Sequence, residues 1–330
     1  MLHAHPTGTT LPMRPWLARL HPGLFAIALG LLGLGGAWRR LDALQIDAAL
    51  ATANALLVGG LAILGLLSLL WVLRSLRHAA LLKREFVHPV QGPLLALWPV
   101  TSLLAVSQLA PLFPAARDGL LGISLLALLL QGLIAWQVVK QLSTGQMPEE
   151  LVTPVLYLPI VPGGLVGAMA LAALHLPGFA MLLLGMGLGG WALLEMRILH
   201  RLFDGPLPLA LRPTLGIEMA PAAVASLAVA SLWPALPADI LLIGLGIACG
   251  PVVAVLTRWH WWSRTPFSFS FWSFSFPLAA LAAVIVEAVA RGGWPTEVAL
   301  GAVLLVSLII AYLAVRTLLL MLRGQLLPQN

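Results

Sequence analysis

The chain has 330 residues, of which 60% are hydrophobic and 9% charged, and its mean hydropathy is +0.99. Soluble domains carry about a quarter charged residues, so this composition excludes an ordinary soluble protein and indicates a polytopic protein of the lipid bilayer. The formal charge of +6 does not indicate a nucleic-acid partner, because the basic residues are dispersed between apolar segments.

Ten apolar runs, each long enough to cross about 30 Å of hydrocarbon, follow one another along the chain. No cleavage site of small residues follows a short apolar core near the start, so we expect the first run to be retained. The sequence predicts an all-α integral membrane protein with an N-terminal segment (1–21), a transmembrane domain (22–321) and a C-terminal tail (322–330). The ten runs are bounded at 22–41, 53–73, 92–113, 119–139, 153–174, 177–198, 213–233, 238–257, 269–290 and 297–321.

The charges between these runs test the count independently, because cytoplasmic loops carry an excess of lysine and arginine. Ten spans place fourteen basic residues, Arg14 among them, on one side and only Arg39, Arg40, Arg117 and Arg291 on the other. Both termini are therefore predicted to lie in the cytoplasm.

Residues suited to metal or cofactor chemistry are sparse. The single cysteine, Cys249, excludes an intrachain disulfide and a cysteine-based metal site. The eight histidines form no HExxH or HxxxH pair, and the five aspartates lie at predicted loops or helix ends. We expect no metal, no cofactor and no enzymatic activity.

Proline recurs within or near the cores of the odd-numbered spans, whereas the even-numbered spans mostly lack it. Proline is tolerated in a bilayer helix where neighbours, serines or waters satisfy the carbonyl that it frees. We therefore predict five helical hairpins whose odd members form an inner ring and whose even members form an outer scaffold. The prolines predicted to kink the inner helices are Pro99, Pro159, Pro162, Pro221 and Pro277.

Small and isolated polar residues predict how the spans pack. Glycine runs at 30–36, 163–167 and 185–190 favour close helix packing over a phosphate loop, since they lack the preceding strand and the following Lys-Ser/Thr. Interhelical hydrogen bonds are the expected role of three isolated amides, Asn54, Gln108 and Gln131.

The ninth span begins with an unusual alternation of aromatic residues and serines, FSFSFWSFSFP, from Phe267 to Pro277. Pro277 lacks an amide hydrogen and crowds the carbonyl of residue 273, so the helix should bend beside Phe276. Composition alone supports two explanations of this stretch equally, an interfacial aromatic belt and a functional site. A helix of about 100° per residue puts the aromatic residues on two opposite faces, Phe267, Phe271 and Phe274 on one and Phe269, Trp272 and Phe276 on the other.

Three ionisable residues have two interpretations each. Glu218 lies within a span, where it is either a proton-coupling carboxylate or a group paired with a polar neighbour. His88 either titrates near neutral pH or forms a polar cap. Glu287 shares the face of Phe276, so it is either a functional carboxylate within the span or a group at the membrane interface, and we expect the interface.

Five segments, spread over most of the chain, together resemble the tellurite-resistance/dicarboxylate transporter family, which includes bacterial TehA and the plant guard-cell slow anion channels. They are PGLFAIALGLLGLGGAW at 22–38, EFVHPV at 85–90 followed by Pro99, TPVLYLPIVPG at 153–163, LRPTLGIEMAPAAVA at 211–225 and FWSFSFPLAALA at 271–282.

The resemblance implies five hairpins around a central pore lined by the odd helices, in a homotrimer with one pore in each subunit. It also implies that the phenylalanine before the proline of the ninth helix, here Phe276, plugs the pore. The sequence departs from the family at Glu218, where the seventh helix is usually apolar. If the pore exists, basic residues at its cytoplasmic mouth, namely Lys83, Arg84 and Arg212, would concentrate anions.

We accordingly predict an anion channel or channel-like exporter of a bacterial inner (plasma) membrane, gated by Phe276 and passing small inorganic or carboxylate anions. The alternative is a proton-coupled transporter of C4-dicarboxylates such as malate, which would use Glu218 and His88.

Overall fold

A computed structural model describes residues 15–327, and within this range the chain forms ten helices long and apolar enough to cross a membrane. Each coincides with a predicted run, so the count of ten is confirmed, although Arg14 of the predicted cytoplasmic charges lies outside the described residues. In chain order, spans 1 to 10 are Pro22–Leu44, Ala49–Arg77, Gln91–Leu112, Pro114–Ser143, Pro154–Ala173, Pro177–Phe203, Leu209–Leu232, Ala238–Thr257, Phe269–Gly292 and Thr296–Leu322.

The odd spans lie inside and the even spans outside, as the proline pattern predicts. In the most apolar part of each odd span 67–89% of the residues are buried, against 11–28% in the even spans. Each odd span packs against the even span that follows it, which gives five hairpins. The odd spans also contact one another in the order 1, 3, 5, 7, 9 and back to 1, so the inner ring closes.

Prolines mark the place where several odd spans change their helical type. Spans 5, 7 and 9 open with a 3-10 segment, and span 3 opens with a separate helical turn, Gln91–Leu94. Regular α-helix then begins at Leu97, Tyr157, Ala220 and Ser275. The second or third residue of each α segment is the predicted kink proline: Pro99, Pro159, Pro221 and Pro277.

Proline is accommodated at the start of an α segment because the amide hydrogens of the first helical turn have no partner four residues earlier in that helix. A proline placed there loses no α-helical hydrogen bond, and we attribute the position of the junctions to this effect. Pro162 differs because it lies inside the α segment of span 5 and leaves the Leu158 carbonyl without its usual donor. The amide of Gln131, from span 4, donates to that oxygen at 2.7 Å.

The other isolated amides also join helices, as predicted. Gln108 Nε2 of span 3 donates to the Leu32 carbonyl of span 1 at 2.9 Å. Asn54 Oδ1 of span 2 accepts from Arg39 Nη2 of span 1 at 2.6 Å.

Glycines allow the hairpins to pack closely. A Cβ on Gly164 of span 5 would lie 2.5 Å from the amide nitrogen of Gly187 in span 6. A Cβ on Gly30 would lie 2.1 Å from Ser275 Oγ of span 9. Glycines of all three runs therefore serve helix packing, as expected.

We expect Gly164→Ala to destabilise the protein by about 1–3 kcal/mol, because the added methyl group meets the backbone of span 6 and forces the two helices apart. Gly185→Ala is the matched control, since a Cβ at that position meets nothing within 4 Å. Unfolding of both variants in detergent measures the difference, and equal stability would contradict this account of the contact.

Candidate functional site

A cavity of about 530 Å³ lies between the N-terminal halves of the five odd spans, and we call it the N-half cavity. Most of its walls are apolar, and among the described residues that line it none carries a formal charge. Its polar side chains are His21, His88, Gln91, Thr214, Ser270 and Ser273.

A second cavity of about 380 Å³, the C-half cavity, lies between the C-terminal halves of the same spans. Two arginines and one glutamate line it: Arg39, Arg40 and Glu287. Glu287 Oε1 pairs with Arg40 Nε at 3.0 Å, and its Oε2 pairs with Arg291 Nη2 at 2.9 Å. Both carboxylate oxygens are thus engaged, so the lining retains an excess of positive charge.

Phe276 stands between the two cavities and, among the described residues, is the one common to both linings. Its side chain is 7% exposed. A Cβ on Gly33 of span 1 would lie 2.9 Å from Phe276 Cδ2, so the ring rests directly against that glycine. The ring therefore forms part of the wall that separates the cavities.

The aromatic stretch before Phe276 differs in helical type from the expectation. Phe269–Phe274 is a 3-10 helix and the α-helix starts only at Ser275. The predicted division into two faces nevertheless holds. Phe271 stacks on Phe267 and on Phe274, with ring centroids 5.4 and 6.4 Å apart, while the opposite face, Phe269, Trp272 and Phe276, lines the N-half cavity.

Hydrogen bonds hold this 3-10 segment against the neighbouring spans. Trp272 Nε1 donates to Thr317 Oγ1 of span 10 at 2.8 Å, and Ser273 Oγ donates to the Pro213 carbonyl of span 7 at 2.5 Å. The segment that leads into Phe276 is thus fixed on both sides.

Glu218 lies outside the linings of both cavities. Its side chain is 5% exposed, and its Oε2 pairs with Arg258 Nη1 at 3.3 Å. Nearby, Glu195 Oε2 accepts hydrogen bonds from Tyr157 at 2.5 Å and from Trp191 at 2.7 Å. Sequence reasoning gave no partner for Glu218, because Arg258 follows it by forty residues.

His88 forms the polar cap that was one of its two interpretations. Its Nδ1 accepts from the amides of Val90 and Gln91 at 3.1 and 3.2 Å, and the residue is exposed and lines the N-half cavity.

None of the three basic residues predicted at the mouth lines a cavity. Lys83 and Arg84 are exposed on the helix Ala79–Val87, and Arg212 Nε donates to the Leu207 carbonyl at 2.9 Å. Their effect on local anion concentration stays a prediction.

Sequence reasoning missed His21 and the lining role of Arg39, Arg40 and Glu287. His21 Nδ1 accepts from the Gly23 amide at 3.0 Å, and the residue also lines the N-half cavity. A signal was available, since both histidines precede a proline at the start of an odd span. Arg40 and Glu287 are separated by 247 residues, and no local pattern joins them.

Burial and the positive charge of Arg74, itself paired with Glu85, lower the pKa of the His21 imidazole to about 4. An unfolded chain, with an ordinary pKa near 6.5, takes up this proton first as the pH falls. The stability that the neutral His21 contributes to the folded protein is therefore present above about pH 6.5 and is lost as the pH falls from 6.5 to 4.

We expect the melting temperature in detergent to fall across that window, and His21→Asn to reduce the fall while keeping an acceptor for the Gly23 amide. Melting curves at pH 7 and pH 4.5 for both proteins test this. The same pH dependence in both would contradict the shifted pKa.

A closed ring of apolar helices with two cavities between its members is the arrangement expected of a membrane channel or transporter. The SLAC1 family model, described as a voltage-dependent anion channel, matches residues 19–320. The chain is also 28% identical over 264 residues to the tellurite resistance protein TehA homolog of Haemophilus influenzae, covering 80% of this chain and 79% of that protein.

The chain therefore belongs to the voltage-dependent anion channel family, which confirms the resemblance drawn from its motifs. Proteins of this family are channels and transporters. Within residues 15–327 there is no group of three or more His, Cys, Asp or Glu side chains that could hold a metal ion.

Proposed function

We propose that the protein is an anion channel or channel-like exporter in which Phe276 gates the path between the two cavities. The observation that carries the proposal is the position of Phe276, whose ring borders both cavities and rests on Gly33. An anion would pass when the ring turns away from span 1.

The electrostatics of the two cavities support an anion as the permeating species. Arg39 and Arg40 attract negative charge to the C-half cavity, and the carboxylate of Glu287 is neutralised by two arginines. The N-half cavity offers no cationic side chain among its described lining residues that would hold an anion tightly. Conduction requires both attraction of the ion and weak binding, because an ion must leave a site as readily as it enters.

The junction between 3-10 and α-helix at Ser275 supports a movable gate. Backbone hydrogen bonds of a 3-10 helix have poorer geometry than those of an α-helix, so Phe276 lies at the weaker end of its helix.

The setting we propose is a bacterial inner membrane, with both termini in the cytoplasm and three subunits that each hold their own pore. Large apolar side chains exposed on the even spans suit contact with lipid or a neighbouring subunit. Both cavities lie within one chain, which fits one pore per subunit.

The rival function is a proton-coupled dicarboxylate transporter that uses Glu218 and His88. A buried carboxylate with one oxygen unpartnered, Glu218 Oε1, is the observation that favours it. Against it, Glu218 pairs with Arg258 and lies outside both cavity linings, away from a permeating carboxylate.

Flux into liposomes containing the purified protein tests the two functions. Chloride, nitrate and malate are supplied in turn, with and without a pH gradient, to the unchanged protein and to Glu218→Gln. We expect anion flux without a pH gradient and little effect of the substitution. Malate uptake that needs the gradient and is abolished by Glu218→Gln would overturn the channel.

A further inference from the structure

Three exposed basic residues lie at the connection between spans 2 and 3. Span 2 ends at Arg77, and the helix Ala79–Val87 that follows contains Lys83 and Arg84. Within the part of the chain that the structure describes, none of the three forms an ion pair. Their positive charges are therefore not compensated by the protein itself.

The helix Ala79–Val87 turns its single acidic residue inward. Glu85 is buried and pairs with Arg74 of span 2. The exposed face is formed by residues spaced three and four apart, as on one side of an α-helix: Ala80, Lys83, Arg84 and Val87. This face carries two positive charges and no negative charge.

Contacts with two spans fix the orientation of this face. The buried pair of Arg74 and Glu85 joins the helix to span 2. At the other end of the helix, the Val87 carbonyl accepts from Gln141 Nε2 of span 4 at 2.6 Å. Lys83 and Arg84 are thus presented outward from a fixed base.

The surroundings of span 2 indicate what this face meets. In its most apolar part only 11% of the residues are buried, the lowest share of the ten spans. Leu76, the neighbour of Arg77, is 77% exposed. Apolar surface of this extent suits lipid acyl chains, and the residues just beyond the end of the span then lie at the level of the lipid head groups.

We propose that Arg77, Lys83 and Arg84 form a binding site for the head group of an anionic phospholipid. Arginine and lysine donate charge-assisted hydrogen bonds to phosphate oxygens, and the acyl chains of the same lipid pack beside Leu76. The inference goes beyond the proposed function and does not depend on anion transport.

Phosphatidylglycerol is the probe, and phosphatidylcholine, whose phosphate is balanced by a quaternary ammonium group, is the control lipid. Native mass spectrometry of the purified protein in neutral detergent counts the bound molecules as either lipid is added. We expect the unchanged protein to bind phosphatidylglycerol in preference to phosphatidylcholine. Each basic residue near an anionic head group contributes about fivefold in affinity, so Lys83→Gln/Arg84→Gln should weaken phosphatidylglycerol binding by about 25-fold.

The matched control is Lys140→Gln/Arg323→Gln, which removes the same two residue types from exposed positions at the C-terminal ends of spans 4 and 10. It should bind phosphatidylglycerol as the unchanged protein does. Equal weakening in the two double variants would overturn the site, because only the net charge would then matter. Normal lipid binding by Lys83→Gln/Arg84→Gln together with a changed oligomeric state would also overturn it, and would show that a second copy of the chain covers this face.

Thermal unfolding provides a second measurement. Phosphatidylglycerol should raise the melting temperature of the unchanged protein and of the control variant, since a ligand that binds only the folded state stabilises it. Lys83→Gln/Arg84→Gln should lose most of this rise while melting like the unchanged protein when no lipid is added. An equal rise in all three proteins would contradict the proposal.

Discussion

Replacing Phe276 by alanine is expected to raise anion flux through the reconstituted protein by roughly tenfold or more. The ring borders both cavities, so its removal joins a space of about 530 Å³ to one of about 380 Å³. A barrier lowered by only about 1.4 kcal/mol already accelerates passage tenfold. Chloride or nitrate flux into liposomes, at equal amounts of folded protein, is the measurement.

Phe274→Ala is the matched control for the gate. Phe274 belongs to the same aromatic stretch, but its ring packs on Phe271 and Trp262 and lines neither cavity. We expect this change to leave flux unchanged or to lower the yield of folded protein. Equal flux through the Phe276→Ala and Phe274→Ala variants would argue that the ring at 276 is not the gate.

The largest loss of stability is expected from breaking the buried ion pair of Arg74 and Glu85. Arg74 is 1% exposed, and both of its Nη atoms donate to the Glu85 carboxylate, one of them at 2.8 Å. The pair joins the end of span 2 to the helix Ala79–Val87, which leads directly to His88. Arg74→Ala leaves Glu85 buried without its partner, and such losses cost about 3–5 kcal/mol.

Two comparisons make the stability prediction specific. Arg77→Ala removes an exposed arginine from the same helical turn and should change stability very little. The double variant Arg74→Met/Glu85→Leu should recover much of the loss, because it leaves no unpaired charge. Thermal unfolding in detergent measures all three, and a loss no larger for Arg74→Ala than for Arg77→Ala would refute the argument.

Much of this fold follows from local features of the sequence. Apolar length and the charges between runs predict the ten spans, because the bilayer imposes the same requirement on every crossing. The prolines predict the inner ring, since a freed carbonyl such as that of Leu158 needs a protein partner like Gln131. The two aromatic faces around Phe276 follow from helical geometry alone.

Other features depend on contacts that no local pattern contains. The 3-10 form of Phe269–Phe274 depends on partners in spans 7 and 10, including Pro213 and Thr317. The pairing of Glu218 with Arg258 and of Glu287 with Arg40 joins distant parts of the chain. Helical phase could indicate that Glu287 shares the face of Phe276, but not which arginine meets it.

The central claim is that the two cavities form one path interrupted at Phe276, and cysteine accessibility tests it most directly. With Cys249 replaced by serine, a cysteine is placed in the N-half cavity by Thr214→Cys or in the C-half cavity by Ser107→Cys. A small anionic, membrane-impermeant thiol reagent is then applied to one side of the liposome. We predict that each cysteine reacts from its own side only, and from both sides once Phe276 is alanine. Reaction of both cysteines at equal rates from one side, with Phe276 in place, would contradict the account.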